Sequence, residues 1–494
     1  MAVASRQFAE QDGFPAMSED LNFSRPLDVH RWSDFPEANK IVDKVYADAF
    51  GAGKATIERK HLKVVVLDLY VAWLLDPNYK IAVHKNPNAY SLHKRYNALR
   101  ITKKTIDVVN VLNATGYIHE ATGFLDRQSK TGRLTRIWAT EKLVDLFKGS
   151  ELSPRMVGRT ADEEVIILKD IDGQEIDYID TPDTDSMRAL IRAYNNLLSS
   201  SLIDIRRLNE PWIVKSDGAR MPIGVHSQRV RRVFNRGSFD KGGRFFGAWW
   251  QGCPKALRKE IFINDAPTVE QDYSSLHIAL LYARNGLNYY QSDIGDAYQL
   301  DVPTFLQTKG QTRKYAKLLL LMAVNAKTDN AAYAAFRENR KDDRDGFGAS
   351  LKNDQLKTLL DGLKNKHPAI AEYLGSDAGI DLMNQDSQIT EHVIRVFTEK
   401  RIPVLTVHDS YIVNFAYWEL LEETLNDAYS KLTGMEGIKS ERIGVALGDE
   451  ESWINQRLPQ EAMIMSSGYK QRLLDWMTTS RGEDKASPYP SLHY

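Results

Sequence analysis

Apolar and polar positions follow helix and strand periods through most of residues 58–148. The run LKVVVLDLYVAWLL predicts a buried helix over 62–75, and NAYSLHKRYNALR predicts a shorter, basic helix over 88–100. TKKTIDVVNVLNATG predicts a third helix, which Thr102 would cap at its N-terminus and Gly116 would end. YIHEAT and LTRIWAT predict two strands that flank GFLDRQSKTGR, a polar turn rich in Arg, Lys and Gly.

Two later segments share one construction, a short apolar strand that meets an Asp. PTVEQDYSSLHIALLYARNGL predicts a strand that ends at Asp272, followed by an apolar helix from about Ser274. VLTVHDSYIV predicts a buried strand that His408 and Asp409 interrupt at its centre. An ionised carboxylate in apolar surroundings costs several kcal/mol unless it is compensated, so each Asp requires a partner. Upstream of both, DTDSMRALIRAYNNLLSSSLIDIRRL predicts a helix over 183–208.

A basic helix, GQTRKYAKLLLLMAVNA, lies between the two Asp segments. Arg313 and Lys317 are four residues apart, so they share one helix face and can both reach a triphosphate. Alone, such a pair is also typical of a solvated helix edge. Between Asp272 and Asp409 it favours a shared metal site with two Mg²⁺ ions, or Mn²⁺ in their place, because hard oxygen ligands and substrate phosphates suit these cations.

Length and composition describe a globular chain with two or three cores. The chain has 494 residues and one cysteine, Cys253, which excludes an internal disulfide framework. We find neither a signal peptide nor an apolar run of membrane-spanning length, so we expect a cytoplasmic protein that has no membrane partner.

Net charge is −1, but residues 201–260 hold thirteen Lys and Arg against five Asp and Glu. This segment is a candidate track for a nucleic-acid backbone. Phe245, Phe246, Trp249 and Trp250 are interleaved with the charges, for base stacking or for packing. The alternative is a solvated face above an aromatic core.

The three helices and basic hairpin of residues 58–150 resemble a winged-helix domain. That resemblance implies a third helix that enters a DNA groove with Lys103 and Lys104 near its N-terminus. It also implies a wing that carries Arg127, Lys130, Arg133 and Arg136. Winged helices also bind proteins, so DNA contact and a structural role both stay open.

Three short motifs resemble those of family A DNA polymerases and their relatives, the single-subunit phage-type RNA polymerases. DYSSLHIALL resembles motif A, RKYAKLLLLMAVN motif B and VHDSYIV motif C. GGRFFGAWWQGCPKALRKEIFINDAPTVEQDYS resembles the family's run from a Gly-Arg element, through a Gln and a Pro, into motif A. The resemblance covers about residues 236–415 and implies an α+β fold. We expect a right-hand palm with an antiparallel sheet and helical fingers, preceded by the mainly helical winged-helix-like domain.

The polymerase resemblance assigns roles at the reaction centre. Asp272 and Asp409 would bind the two metals, and the backbone carbonyl of Tyr273 would complete one coordination shell. Arg313 and Lys317 would bind the triphosphate of the incoming nucleotide. Lys317 would also protonate the leaving pyrophosphate, so the catalytic residues would be Asp272, Asp409 and Lys317.

The same resemblance assigns contacts with the primer and template. Arg244 would contact the minor groove beside the new base pair, and His408 would meet the primer terminus. One of Asn384, Gln385 or Gln388 would touch the primer strand, and we take Gln385 as the candidate.

Three departures from the DNA polymerase motifs, set against one agreement, leave the choice of sugar open. His277 stands where the DNA polymerases place a Glu that blocks a ribose 2′-OH, and Asn325 stands where motif B normally has a Tyr, so we assign both to the nucleotide site. Ser410 gives motif C the His-Asp-Ser of the RNA polymerases. In contrast, the Asp-Tyr-Ser of motif A is that of the DNA polymerases.

We therefore expect a compact, template-dependent DNA polymerase of low processivity without a proofreading exonuclease, acting on a DNA primer-template and nucleoside triphosphates, in replication or repair of a mobile element. The alternatives are a single-subunit RNA polymerase or primase, a DNA-binding replication initiator or regulator with an inactive palm, and a metal phosphohydrolase.

The expected segments are an N-terminal extension (1–57), the winged-helix-like domain (58–150), a helical linker or small thumb (151–235), palm (236–295), fingers (296–375), palm (376–465) and a C-terminal tail (466–494).

Overall fold

The computed structural model divides the chain into two compact units. The first unit comprises Met1–Glu164, Leu208–Ser227 and Ser466–Tyr494, and the second comprises Val165–Arg207 and Gln228–Met465. The stretch predicted as a linker or thumb therefore contributes to both units. The structure describes residues 20–51, 56–90, 95–126, 128–129, 131–216, 218–341, 343, 346–443 and 464–483.

The fold is a mixture of helices and mainly antiparallel strands, numbered here in chain order. The helices are α1 (Pro36–Phe50), α2 (Thr56–Leu75), α3 (Lys104–Ala114), α4 (Glu141–Lys148), α5 (Pro182–Ser200), α6 (Lys255–Arg258), α7 (Leu276–Arg284), α8 (Lys309–Asn325), α9 (Asp329–Asn339), α10 (Phe347–Ser350), α11 (Asn353–Lys366), α12 (Gly379–Glu399), α13 (Trp418–Thr433) and α14 (Ser467–Glu483).

The strands are β1 (Ser24–Pro26), β2 (Arg31–Trp32), β3 (Lys80–Val83), β4 (Ile118–Ala121), β5 (Phe124–Asp126), β6 (Thr131–Arg133), β7 (Thr135–Ala139), β8 (Gly158–Arg159), β9 (Ile166–Leu168), β10 (Ile203–Ile205), β11 (Trp212–Val214), β12 (Arg220–Pro222), β13 (Arg231–Asn235), β14 (Ser238–Phe246), β15 (Ile261–Ile263), β16 (Ala266–Tyr273), β17 (Val404–Val407), β18 (Ser410–Asn414) and β19 (Ser440–Ile443).

The first unit packs α1, α2 and α3 against a four-stranded sheet of order β1-β3-β7-β4. The apolar run of α2 lies in the core, as its sequence predicts. Its one buried carboxylate, Asp68, is compensated because Arg25 Nη2 donates to Asp68 Oδ1 at 2.6 Å and Arg31 Nε donates to the same oxygen at 3.3 Å. This network joins α2 to the first two strands.

The predicted helix over 88–100 is wrong for the described residues on either side of 91–94. Those residues form a short 3₁₀ turn and irregular turns. The Asn97 side chain explains part of the difference, since its Nδ2 donates to the Ile101 carbonyl and its Oδ1 accepts from the Ile101 nitrogen, both at 2.8 Å. Such local bonds offer the backbone an alternative to a helix. The predicted third helix is present as α3, and Gly116 follows its end with a φ of 73°.

The second unit is built on an antiparallel sheet of order β10-β15-β16-β18-β17, with β19 also paired to β16. A smaller sheet of order β14-β13-β9 packs through β14 against α12. At Gly243, with a φ of 89°, an added Cβ would lie 2.7 Å from the Ser387 hydroxyl, so the close approach of β14 to α12 requires glycine.

The predicted helix over 183–208 ends earlier, at Ser200. Three consecutive serines at its end bond back to helix carbonyls, as Ser201 Oγ does to the Leu197 carbonyl at 2.8 Å. Ile203 and Ile205 then pair with β15 as strand β10. Their β-branched side chains suit a strand better than a helix.

The C-terminal segment predicted as a tail contains α14. Ser466 Oγ donates to the Leu208 carbonyl at 2.7 Å, and Arg472 Nη1 donates to the Asn209 carbonyl at 2.9 Å. These bonds tie α14 and the residue before it to a distant segment of the same unit. Within the described residues, no helix combines the length and the apolar character that a membrane crossing needs.

Candidate active site

Asp272 and Asp409 lie at the same end of the large antiparallel sheet. Asp272 faces Ser410 in the ladder between β16 and β18. His408 and Asp409 form the two-residue turn between β17 and β18, and His408 has a left-handed φ of 58°. The Tyr273 nitrogen donates to the Asp409 carbonyl oxygen at 3.4 Å. Strand register thus brings the two carboxylates together, and Asp409 is half-buried at a turn rather than fully enclosed in a strand.

Asp272 is held in an environment that disfavours its charge. Burial, together with the negative charges of Asp409 and Glu270, raises the pKa of Asp272 to about 7, although Lys255 and Lys317 oppose the rise. Within the described part of the chain, Asp272 Oδ1 is buried and accepts no hydrogen bond. A cation beside this carboxylate would relieve both the repulsion and the lost hydration.

A third carboxylate, Glu270, lies on the same face of β16 as Asp272, because alternate residues of a strand point to one side. Ser410 Oγ donates to Glu270 Oε1 at 2.6 Å, and Arg258 Nη2 donates to the same oxygen at 2.7 Å. These donors satisfy a side chain that is almost fully buried. Sequence reasoning missed Glu270, although the alternation of two acids in PTVEQDYS was visible.

Arg244 connects β14 to α12 through a fourth carboxylate, Asp386. Arg244 Nε donates to Asp386 Oδ2 at 2.7 Å, and Arg244 Nη2 lies 3.2 Å from His277 Nε2. Burial raises the pKa of Asp386 to about 6 against the effect of Arg244, and the charge of Asp409 adds to the rise. Burial and the charge of Arg244 lower the pKa of His277 to about 4. His277 is therefore neutral near pH 7, and its Nε2 accepts because a guanidinium can only donate.

Sequence reasoning also missed Asp386, although it is adjacent to the candidate Gln385. Asp386 shares the buried face of α12 with Leu382 and Val393. A charged residue on the apolar face of an amphipathic helix was the available signal.

Arg313 and Lys317 share one face of α8, as predicted, and both lie over the ring of Tyr298. Arg313 Cζ is 5.7 Å and Lys317 Nζ is 5.4 Å from the ring centroid. Thr308 caps the helix by accepting from the backbone nitrogen of Gln311 at 3.1 Å. The charge of Lys317 opposes the rise in the pKa of Asp272, so this cation of α8 acts electrostatically on the carboxylate at the end of β16.

Phe246 and His408 form an aromatic edge beside the carboxylate pair. Phe246 is 42 % exposed, and its ring centroid lies 5.9 Å from that of His408 in an edge-on contact. Phe246 and Arg244 are two residues apart in β14, so their side chains share a strand face. The other aromatics of this segment, Phe245, Trp249 and Trp250, are buried, so they are packing residues and not stacking platforms.

Asn325 is the last residue of α8, eight residues beyond Lys317, which is about 12 Å along a helix axis. Its Nδ2 donates to the Leu321 carbonyl at 2.8 Å. A Cβ added to Gly379 would lie 2.0 Å from Asn325 Oδ1, so the asparagine side chain fills the space beside this glycine. These contacts give Asn325 a part in joining α8 to α12, besides the nucleotide contact predicted for it.

Tyr273 and Gln385 also have protein partners. Tyr273 is buried, and its hydroxyl donates to the Leu425 carbonyl at 2.6 Å. Gln385 Oε1 accepts from Arg284 Nη2 at 2.8 Å. Through this bond Gln385 joins α12 to the end of α7, and a contact with a primer strand would have to use its amide nitrogen.

The basic segment 201–260 is largely neutralised by neighbouring carboxylates, and it is divided between the two units. This weakens the prediction of a continuous track for a nucleic-acid backbone. Ion pairs join Arg206 to Asp265, Arg207 to Glu260, Arg220 to Asp76, Arg232 to Glu391, Arg236 to Asp377, Lys241 to Asp381, Arg244 to Asp386 and Arg258 to Glu270.

The predicted DNA-contacting cations of the first unit lie on α3 and on the β5–β6 hairpin. Lys103 precedes α3 and is exposed, while Lys104 Nζ lies 3.4 Å from Asp107. Arg133 lies over the exposed ring of Phe124, with its Cζ 5.5 Å from the ring centroid. The candidates Arg127 and Lys130 lie outside the described residues. Arg136 differs from the prediction of a free wing cation, since its guanidinium donates to the carbonyls of Leu21 and Leu134.

The carboxylate pair fits magnesium by its donor chemistry. Asp272 offers a buried oxygen without a hydrogen bond, and Asp409 adds a second carboxylate beside it. Within the described residues no group of three or more His, Cys, Asp and Glu is arranged to hold a metal. Mg²⁺ commonly binds through one or two carboxylates and completes its shell with water and substrate phosphates. The residues present therefore suit a divalent cation that completes its shell with other ligands.

Comparison with known proteins leaves the site itself as the main guide to function. No protein-family model matches the chain. No curated protein matches it. Forty chains of solved structures match. One is the POL domain of Pol1 from M. smegmatis, in complex with DNA primer-template and dNTP, which is 10 % identical at a TM-score of 0.29. That match covers 53 % of this chain and 50 % of the other, so it spans about half of each.

Proposed function

We propose that the second unit is a template-dependent nucleotidyltransferase, a DNA-directed DNA polymerase without proofreading that uses two divalent cations. The observation that carries the proposal is the arrangement of charge around Asp272. Asp409 stands beside it through strand register, and the charge of Lys317 reaches it from α8. The order of the three motifs along the chain supports the same function.

Nucleotidyl transfer needs in-line positioning and neutralised charge more than covalent chemistry. Bound divalent cations supply charge stabilisation at the attacking and leaving oxygens. Asp272 and Asp409 hold those cations, and the unpartnered oxygen of Asp272 is available for this purpose. Arg313 and Lys317 bind the triphosphate, and Lys317 carries the proton that the leaving pyrophosphate takes up.

Arg244, His408 and Phe246 form the side of the site that receives the primer. The hydrogen bond to Asp386 orients the Arg244 side chain, so the guanidinium can contact the minor-groove edge of the terminal base pair. The turn residue His408 precedes Asp409, and the exposed ring of Phe246 packs edge-on against His408. A base or sugar at the primer terminus can pack on these rings while its 3′-hydroxyl points to the carboxylates.

Synthesis of RNA or of a primer is the second candidate, and His277 favours it. A neutral imidazole bonded to Arg244 replaces the carboxylate that the resembled DNA polymerases use to exclude a 2′-hydroxyl. Ser410 is a weaker argument for RNA synthesis because Glu270 gives that serine a structural partner.

Primer extension with separate deoxynucleotide and ribonucleotide pools, in Mg²⁺ and in Mn²⁺, tests both candidates. We expect extension by the wild-type chain and none by Asp409→Ala. The matched control is Asp361→Ala, which removes a half-exposed carboxylate from α11, and its ion pair within the described residues is with Lys357. Absence of extension with either pool would overturn the catalytic proposal and leave a DNA-binding initiator or regulator. Extension by Asp409→Ala would overturn the assignment of the site.

For the first unit we propose duplex binding in the manner of a winged helix, with α3 in a groove and the β5–β6 hairpin as the wing. The support is the order of elements, in which α2, β3 and α3 precede a β4–β7 hairpin that joins β3 in one sheet. Lys103 and Lys104 at the start of α3, and Arg133 on the hairpin, would contact phosphates.

A further inference from the structure

A carboxylate already holds the arginine that we assign to the triphosphate. Arg313 Nε donates to Asp296 Oδ2 at 2.6 Å, and the two side chains are 43 % and 39 % exposed. Partial burial opposes ionisation of Asp296, but the hydrogen bond and charge of Arg313 and the backbone hydrogen bonds of Tyr298 and Gln299 together outweigh it, so the pKa of Asp296 is lowered. Asp296 is therefore an anion at neutral pH, bound to a cation in an open site.

The loop between α7 and α8 presents Asp296 in a defined orientation. Asp296 Oδ1 accepts from the backbone nitrogen of Tyr298 at 2.8 Å, which leaves Oδ2 for the guanidinium. Tyr298 is almost fully buried under Arg313 and Lys317. Burial raises the pKa of Tyr298, and the charge of Asp409 contributes to the rise, so the carboxylate turn acts electrostatically on the ring that the cations of α8 cover. A polyphosphate bound by these two cations would therefore lie beside Tyr298 and meet Asp296.

We propose that Asp296 is a displaceable counter-ion, which holds Arg313 in the nucleotide-free protein and yields it to the polyphosphate of the incoming nucleotide. The inference rests on the proposed function, because it takes the site to be one for nucleotides. Ion pairs between solvent-exposed side chains are weak, so the exchange is easy. A guanidinium also binds phosphate through two parallel hydrogen bonds, which favours the incoming group over the single contact with Asp296.

The exchange makes Asp296 a determinant of nucleotide affinity. Before binding, it keeps the Arg313 side chain on the Tyr298 ring, where the polyphosphate will arrive. During binding, its negative charge competes with the polyphosphate for the same cation. Asp296 therefore sets KM for the nucleotide, and it has no part in the transfer step that kcat reports.

The test compares Asp296→Asn with Asp293→Asn in the full-length chain. Asparagine keeps the oxygen that accepts from the Tyr298 nitrogen and removes the charge that competes for Arg313. Asp293 is an exposed carboxylate of the same loop and makes no ion pair within the described residues. Both variants change the net charge by the same amount, so they differ in the contact with Arg313.

Calorimetric titration with inorganic tripolyphosphate measures the exchange without requiring turnover. We expect Asp296→Asn to bind it about two- to five-fold more tightly than wild type, as loss of an exposed ion pair implies, and Asp293→Asn to stay near wild type. In an Arg313→Gln background, Asp296→Asn should bring no gain. In primer extension, Asp296→Asn should lower KM for the nucleotide by a similar factor and leave kcat unchanged.

Each other result overturns the proposal. Unchanged or weaker tripolyphosphate binding by Asp296→Asn would mean that the carboxylate positions the arginine and does not compete with the ligand. A gain that persists in the Arg313→Gln background would mean a general effect of charge. Failure of the polymerase function is distinguishable: wild type would then extend no primer, while the tripolyphosphate titration would still decide the role of Asp296.

Discussion

Ser410 Oγ donates a 2.6 Å hydrogen bond to Glu270 Oε1, beside the point in the ladder at which Ser410 faces Asp272. The residue after Asp409 thus donates its hydroxyl hydrogen bond to a buried carboxylate. A glutamate at position 410 would bring a second carboxylate against Glu270. The His-Asp-Ser form of the motif therefore has a local structural cause, independent of the sugar that the site selects.

Replacing Ser410 should destabilise the second unit through Glu270. We expect Ser410→Ala to cost about 1–3 kcal/mol, because it leaves a buried carboxylate oxygen with one donor fewer. Urea denaturation of the full chain measures the cost. In a Glu270→Gln background the same substitution should cost distinctly less, since the charged acceptor is gone. Equal costs in the two backgrounds would show that the hydrogen bond contributes little.

Asp272 should make stability fall as pH rises in metal-free buffer. Its pKa is about 7 in the folded chain, against an ordinary value of 3.8. Between these two values the folded state holds a proton that the unfolded state has lost, so stability decreases from pH 4 to pH 7 and the full cost is present above pH 7. We expect Asp272→Asn to raise Tm at pH 8, by an amount that shrinks at pH 5.

Magnesium provides the control for Asp272. Because a cation at the carboxylate pair stabilises the ionised form, Mg²⁺ should raise Tm of the wild-type chain at pH 8 and less so at pH 5. The same addition should leave Tm of Asp272→Asn nearly unchanged. An equal Mg²⁺ effect on both proteins would place the bound cation elsewhere.

The sequence predicted the elements that carry the carboxylate pair better than their surroundings. Period-two alternation in PTVEQDYS and the apolar run around VHDS are local signals, and both produce strands. The pairing of Asp272 with Ser410 depends on register between segments far apart in the chain, which periodicity alone does not specify. The shared construction of the two Asp segments, the basic helix between them and the motif resemblance predicted that the two carboxylates meet.

The sequence did not indicate which residues pair with the buried charged side chains. Glu270 is paired with Arg258 and one oxygen of Asp386 with Arg244, while Asp386 Oδ1 is buried without a hydrogen-bond partner in the described part of the chain. Each of these pairs forms only when separate elements pack together. Likewise, the arginines of residues 201–260 look free in the sequence because their carboxylate partners lie mainly outside that segment. The local pattern of residues 88–100 also predicted a helix wrongly for the described residues of this range. There the side chain of Asn97 bonds to the backbone of Ile101, and these bonds replace a helical turn.

Asp386 should be required to hold Arg244 in place. Asp386→Ala leaves a largely buried guanidinium without its carboxylate, and we expect a loss of about 3 kcal/mol in the free energy of unfolding. Replacing both residues, as Asp386→Leu with Arg244→Met, should recover much of that stability because no unpaired charge remains. Differential scanning calorimetry compares the three proteins.

Activity separates a positioning role for Asp386 from a purely structural one. Asp386→Asn keeps an acceptor for Arg244 without the charge, so it should fold well and still extend a primer more slowly than wild type. The double variant should be stable and inactive if Arg244 contacts the terminal base pair. Full activity of the double variant would contradict the role that we assign to Arg244.

Lys103, Lys104 and Arg133 should supply salt-dependent affinity for duplex DNA. Each cation that neutralises a phosphate changes the slope of log affinity against log salt by about 0.9. Replacing all three by alanine should therefore weaken binding to a blunt duplex and flatten that slope by up to about 3. The full chain is the right material, because the first unit draws on three separate segments.

The matched control replaces Lys40, Lys44 and Lys148, exposed cations on α1 and α4 of the same unit. An equal flattening in both triple variants would indicate attraction by net charge, without a contact at α3 and the hairpin.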